Sequence, residues 1–163
     1  MKGFAPGLFD RLLGNGAHAL SSGTVTRLSM EELKDTVARD LEALLNTRTV
    51  ITEELLKSYP ESSNSIVSYG LNDFAGMSLA STDDRATICR ALENAIVRHE
   101  PRLKNVVVLL EVREGSINRL NFAISALLVV HPAQEPVSFD AVLQPSSLQY
   151  SISKTHRLTR TAD

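Results

Sequence analysis

The chain has 163 residues, 43% of them hydrophobic and 22% charged, enough for one globular domain that buries roughly 70% of the surface its unfolded chain exposes. Seventeen basic against nineteen acidic residues leave a formal charge of −2, which excludes the dense Lys/Arg footprint of a nucleic-acid binder. A single cysteine, Cys89, excludes an internal disulfide framework, and no apolar run approaches the roughly 20 residues of a membrane span. Asp10 and Arg11 interrupt the stretch where a secretory signal would keep its apolar core, so the expected location is the cytoplasm.

From Pro6 onward, Leu8, Phe9, Leu12 and Leu13 share one face of a short predicted helix, with Asp10 and Arg11 on the other. A helix this short must dock on something, either a partner protein or its own domain. Residues 14–28 are Gly, Ser, Thr, Asn and Ala in linker proportions. Ser29 followed by Glu32 is a capping-box signature, and Leu33, Val37, Leu41, Leu44 and Leu45 form a helical stripe ending near Asn46. Residues 47–80 are less regular. Pro60 starts a short helical piece stopped by Gly70, and Leu71 to Gly76 reads as a loop with Leu71 and Phe74 as buried anchors.

The strongest helix signal follows, with a cap at Ser81 or Thr82, Asp83 and Asp84 in the first turn, and Arg98 and His99 in the last. Ile88, Cys89, Leu92, Ala95, Ile96 and His99 line one face, which places Cys89 as a small core residue rather than a nucleophile. Pro101 disfavours the helical conformation at Glu100 and ends this element there. Four strand-like runs come next, the first at about Asn105 to Val112 with a turn at Arg113 to Ser116. In the second, Leu120, Phe122, Ile124, Ala126, Leu128 and Val130 alternate onto one face. Val137, Phe139, Ala141 and Leu143 do so in the third, bracketed by Pro136 and Pro145, and Leu148, Tyr150 and Ile152 in the fourth. The expectation is an α+β fold with two main helices on one face of a roughly four-stranded, mainly antiparallel sheet. Residues 1–28 form a docking segment and linker, 29–153 the domain, and 154–163 a basic tail with Lys154, His156, Arg157 and Arg160.

The chain shows no phosphate loop, paired-cysteine motif or nucleophile elbow, and His18, His99, His131 and His156 lack ligand spacing. No metal or cofactor is therefore expected. The one enzymatic idea is a glycosidase pairing Glu100 with Asp73 or Asp140. That chemistry needs carboxyls roughly 5–10 Å apart in a cleft. It is also helped by sugar-stacking aromatics, and here aromatics are 5% of residues with no tryptophan, so a non-enzyme is expected. At the joint between the main helix and the first strand, Glu100 and Arg102 either pair within the domain or meet a partner.

Several pieces resemble the small baseplate wedge subunits of type VI secretion systems, relatives of the wedge proteins of contractile phage tails. They are Asp40-Leu41-Glu42-Ala43-Leu44-Leu45-Asn46-Thr47-Arg48, Tyr69-Gly70-Leu71-Asn72-Asp73-Phe74, Ile88-Cys89-Arg90-Ala91-Leu92-Glu93, Glu100-Pro101-Arg102-Leu103 and Glu135-Pro136-Val137-Ser138-Phe139-Asp140. Leu8-Phe9-Asp10-Arg11-Leu12 is also similar to the start of such proteins. The resemblance implies a non-catalytic assembly component in a baseplate docked to the inner-membrane complex. Its implied partners are the wedge proteins TssF, TssG and TssK and the tail-sheath subunits, and its implied role includes initiating sheath polymerisation. It marks Glu100, Pro101 and Arg102 as the assembly motif, with Leu8, Phe9 and Leu12 as a second candidate contact. A cell-wall glycosidase and a generic protein-binding adaptor are the alternative readings.

Overall fold

The computed structural model describes residue 4 and residues 28–74, 76–78, 81–111, 120–131, 133–144 and 146–155. Helix α1 spans Met30–Asn46, the short α2 spans Glu53–Ser58 and α3 spans Thr82–His99, with 3₁₀ turns at Pro60–Asn64 and Ile66–Ser68. Strands β1 (Leu103–Glu111), β2 (Leu120–Val130), β3 (Ala133–Gln144) and β4 (Gln149–Lys154) form one antiparallel sheet in sequence order. The α+β architecture expected from the pattern is the one the chain adopts.

Helix α1 starts where its caps dictate. The Glu32 amide donates to the Ser29 hydroxyl at 3.2 Å, and the Ser29 amide donates to the Glu32 carboxylate at 2.7 Å. Leu33, Val37, Leu41, Leu44 and Leu45 are buried along its inner face. Helix α3 is capped by the Ser81 hydroxyl, carries Asp83 and Asp84 in its first turn, and ends at Glu100 as Pro101 requires. In the sheet, Phe122, Ile124 and Ala126 of β2 lie opposite Ala141, Phe139 and Val137 of β3, and all six are buried. Phe122 and Phe139 are the largest fully buried side chains of a core shared with Leu41, Leu45, Leu92 and Ile96. Burying a side chain of this size stabilises the fold by about 1.5–3 kcal/mol.

The sheet departs from expectation in two places. Strand β1 begins at Leu103 rather than Asn105, because the register shifts between Lys104 and Val107 and Asn105 takes φ +51°, a bulge that absorbs an extra residue. Pro136 lies inside β3 opposite Leu127, not at its end. Strand β4 has run out by then, since its last contact on β3 is the Thr155 amide donating to the Ser138 carbonyl. The next outward-facing position is Pro136, where no strand among the described residues waits for the missing amide hydrogen. The turn expected at Arg113 to Ser116 and the apolar residues Leu8, Phe9 and Leu12 lie outside the described residues.

Helical side chains bond to both outer sheet edges. On β4, the Tyr150 amide donates to Asn46 Oδ1 at 2.7 Å, Asn46 Nδ2 donates to the Tyr150 carbonyl at 2.9 Å, and the Ile152 amide donates to Glu42 at 2.8 Å. On β1, the Val108 amide donates to Glu93 of α3 at 2.8 Å. Each helix thus supplies the partners that an edge strand otherwise lacks.

After α1, Leu71 donates to the Thr47 carbonyl at 2.9 Å and Thr49 to the Leu71 carbonyl at 3.0 Å, which pins the loop beneath α3. Gly70 permits this approach with φ +117°, and a β-carbon there would stand 2.6 Å from the Thr47 oxygen. Gly70→Ala is expected to destabilise the domain by about 2–3 kcal/mol, combining backbone strain with a clash. Chemical denaturation would register this as a lower midpoint with an unchanged m-value, and an unchanged midpoint would refute it.

Candidate functional site

The joint between α3 and β1 is a reverse turn. Proline occupies its second position, where a fixed φ is favourable, and the Leu103 amide donates to the Glu100 carbonyl at 3.1 Å. Backbone pairing continues straight out of the turn, since the Val129 amide donates to the Arg102 carbonyl at 2.8 Å. Glu100 and Arg102, two residues apart, thereby fold onto each other.

Glu100 is 5% exposed, and its carboxylate is the one carboxylate in the buried class among the described residues. Its Oε1 accepts from the Arg102 Nε at 2.7 Å and from the Arg102 amide at 3.2 Å, while Oε2 accepts from Arg102 Nη2. Nη2 also donates to Asp40 Oδ2 in the middle of α1. One guanidinium thus closes the turn on itself and ties it to the other main helix, using the fork geometry a lysine lacks. Burial pulls Arg102 toward its neutral form, but hydrogen bonds and charge from Glu100, and then from Asp40, outweigh it and hold its pKa above the ordinary arginine value. The Arg102 side chain remains 28% exposed, Asp40 is more open, and Pro101 is exposed.

Two further side chains border the joint. His99 Nε2 donates to the Ser68 carbonyl at 3.1 Å, and the Tyr69 ring meets the His99 ring edge-on at 5.3 Å. Burial, followed by the charges of Asp40 and Glu100, raises the Tyr69 phenol's pKa. Burial lowers that of His99. Sequence reasoning named Glu100, Pro101 and Arg102 but assigned no role to Asp40, Tyr69 or Ser68. The available signal was that Asp40 and Tyr69 open two of the fragments that carry the resemblance, so the fragments converge on one place.

The same geometry answers the glycosidase idea. Both oxygens of Glu100 are occupied by Arg102. Asp140 alternates with the buried Phe139 and Ala141 and so belongs to the sheet face away from the helices. Asp73 borders a cavity lined by Leu120, at the other end of β2 from the Val129 that meets the joint. Among the described residues no group of three or more His, Cys, Asp or Glu is placed to hold a metal, and no helix is long and apolar enough to cross a membrane.

The chain matches the family model described as baseplate wedge protein gp25 over residues 31–133, more than half its length, and it belongs to that family. This is the family of the type VI wedge subunit TssE, and its members are structural rather than enzymatic components of phage-tail-like baseplates. The match covers α1, the joint, β1 and β2, while Leu8 to Leu12 and Glu135 to Asp140 lie beyond it. No curated protein matches the chain.

Arg102→Ala is expected to cost about 3 kcal/mol, because it strands a buried carboxylate. Replacing both partners, as Glu100→Gln with Arg102→Gln, should cost clearly less, and equal losses in urea titrations would contradict the pairing. Stability should also fall on acidification. His99 titrates lower in the folded protein than in the unfolded chain, so as pH drops through about 6.5 the unfolded state takes up the proton first. A His99→Gln variant should flatten that part of the Tm profile, and an unchanged profile would count against it.

Proposed function

We propose that this chain is the TssE-type wedge subunit of a type VI secretion baseplate. In this reading it works in the cytoplasm, within an assembly docked to the inner-membrane complex. It binds the wedge proteins TssF, TssG and TssK and helps to start polymerisation of the tail sheath. The observation that carries this reading is the joint itself. Glu100 is spent internally, yet it holds Arg102 in one orientation, with part of the arginine side chain exposed beside exposed Pro101 and the more open Asp40. Such a preorganised guanidinium edge binds a partner's carboxylate or carbonyl at little entropic cost. The motif thus has one half that builds the turn and one half that a partner reads.

A second contact through strand pairing is supported best at β1. Its Val107 and Leu109 side chains are 46% and 62% exposed, and the Val108 amide is held by one carboxylate. On β4, by contrast, Glu42 and Asn46 occupy successive edge groups. The apolar face of Leu8, Phe9 and Leu12 is a third proposed contact. Phe4 and Leu28, which flank that stretch in the chain, exchange backbone hydrogen bonds at 2.8 Å.

The decisive experiment co-expresses the chain with the wedge proteins of its own gene cluster, as wild type and as Arg102→Lys, with circular dichroism of each. The lysine variant keeps the charge but loses the fork, so it should fold and yet recover at least tenfold less partner protein. Equal recovery would remove Arg102 from the interface, and failure of the wild type to recover any wedge protein would overturn the baseplate reading.

A further inference from the structure

Cys89, Glu93 and Val97 stand one turn apart on α3, and the first two meet successive outward positions of the edge strand β1. The Val108 amide donates to Glu93 Oε1 at 2.8 Å, and the Leu110 amide donates to the Cys89 sulfur. A strand turns the backbone groups of alternate residues to the same side, so Val108 and Leu110 are the residues an added strand would pair with. The carboxylate stands where that strand's carbonyl oxygen would stand, because a ladder bond has much the same length, about 2.9 Å. Glu93 and a partner strand therefore exclude each other at Val108.

The cover on this edge is half complete. On β4, Asn46 both accepts from the Tyr150 amide and donates to its carbonyl. Glu93 is a carboxylate that only accepts, so it offers the Val108 carbonyl nothing. The side chains around it are those of a contact surface. Val97 is 58% exposed, and Val107 and Leu109, on either side of Val108, are 46% and 62% exposed. Edge strands are commonly guarded from within, by lysine, proline or a bulge. In β1 the bulge and Lys104 both come before Val107, and Val107 to Leu110 holds no guard of its own. Its guard is a long, rotatable side chain on the neighbouring helix, and such a guard can turn away.

We propose that Glu93 is a displaceable latch on the β1 edge, and that a β-strand of another baseplate protein enters by taking its place at Val108. The inference rests on the strand-pairing reading of β1 and adds what governs it. In the free protein the latch keeps this edge from chance pairing. The incoming strand satisfies both the amide and the carbonyl of Val108, which the carboxylate cannot do, and lays alternate side chains beside Val107 and Leu109. The occupant is a partner strand rather than a second copy. Two β1 strands joined edge to edge would bring two Glu93 carboxylates to one seam, where like charges repel.

The test combines amide hydrogen exchange with recovery of wedge proteins, for the full chain as wild type, Glu93→Ala and Leu109→Lys, each checked by circular dichroism. In the free protein, Glu93→Ala should speed exchange of the Val108 amide at least tenfold. Co-expressed with the wedge proteins of its own gene cluster, Glu93→Ala should recover at least threefold more partner than wild type. In that complex the Val108 and Leu110 amides should be protected although the carboxylate is gone. Recovery no greater than that of a competent wild type would overturn the latch and leave the wedge reading standing. A Val108 amide that exchanges as fast in the complex as in the free variant would overturn strand entry.

Leu109→Lys changes an exposed side chain and leaves Glu93 in place, so it tests the edge even where Glu93→Ala fails to fold. A lysine there guards the strand from within and should cut recovery at least tenfold. Unchanged recovery would remove the β1 edge from the interface. If neither wild type nor Glu93→Ala recovers any wedge protein, the wedge reading falls and takes the source of the strand with it. Self-association of Glu93→Ala that is abolished by adding Leu109→Lys would make a second copy the occupant and refute a baseplate strand.

Discussion

A carboxylate that is 5% exposed must have its charge met on the spot, and in this protein that demand falls on Glu100 at the point where helix hands over to sheet. The cation that meets it is Arg102, two residues on, and a proline-containing turn is the local conformation that lets the two side chains close on each other. Once closed, the guanidinium still has a donor for Asp40 of α1. The helix end, the first strand and the second helix are thereby fixed by one planar group. A lysine in that position would supply charge but not three directed bonds.

The division of labour within the motif follows from burial. Glu100 faces inward and builds, whereas Arg102 lies partly outside and keeps an outward side. The internal bonds hold the guanidinium in one orientation while part of the side chain stays outside. The two sheet edges are treated differently: Glu42 and Asn46 of α1 satisfy successive backbone groups on β4, whereas on β1 Glu93 of α3 holds the Val108 amide. The ion pairs of Lys34 with Glu135 and of Lys154 with Glu31 and Asp35 add a further clasp between α1 and the neighbouring ends of β3 and β4.

The two ends of the sheet contrast in chemistry. One carries a knot of paired charge, and the other a cavity walled mainly by apolar side chains. A structural subunit that meets several neighbours needs distinct surfaces of this sort, since discrimination between partners comes from differences in what each site can satisfy.

The elements themselves were legible in the sequence because their signals are local. The Ser29 and Glu32 pair, the stripe from Leu33 to Leu45, the stop at Pro101 and the period-two runs from Leu120 to Val130 and from Val137 to Leu143 each depend on neighbours within a few positions. The sequence by itself therefore determined the α+β class, much of the core and the place where the main helix stops. Only the tertiary structure decided where Arg102 points, because Asp40 lies sixty-two positions away in the chain and no periodicity links the two. It also decided that Pro136 sits within a strand, since whether a missing amide hydrogen matters depends on how far β4 reaches. The cavity beside Tyr150 belongs to the same category, for it is the space left between six separate segments, and a void between elements has no sequence of its own.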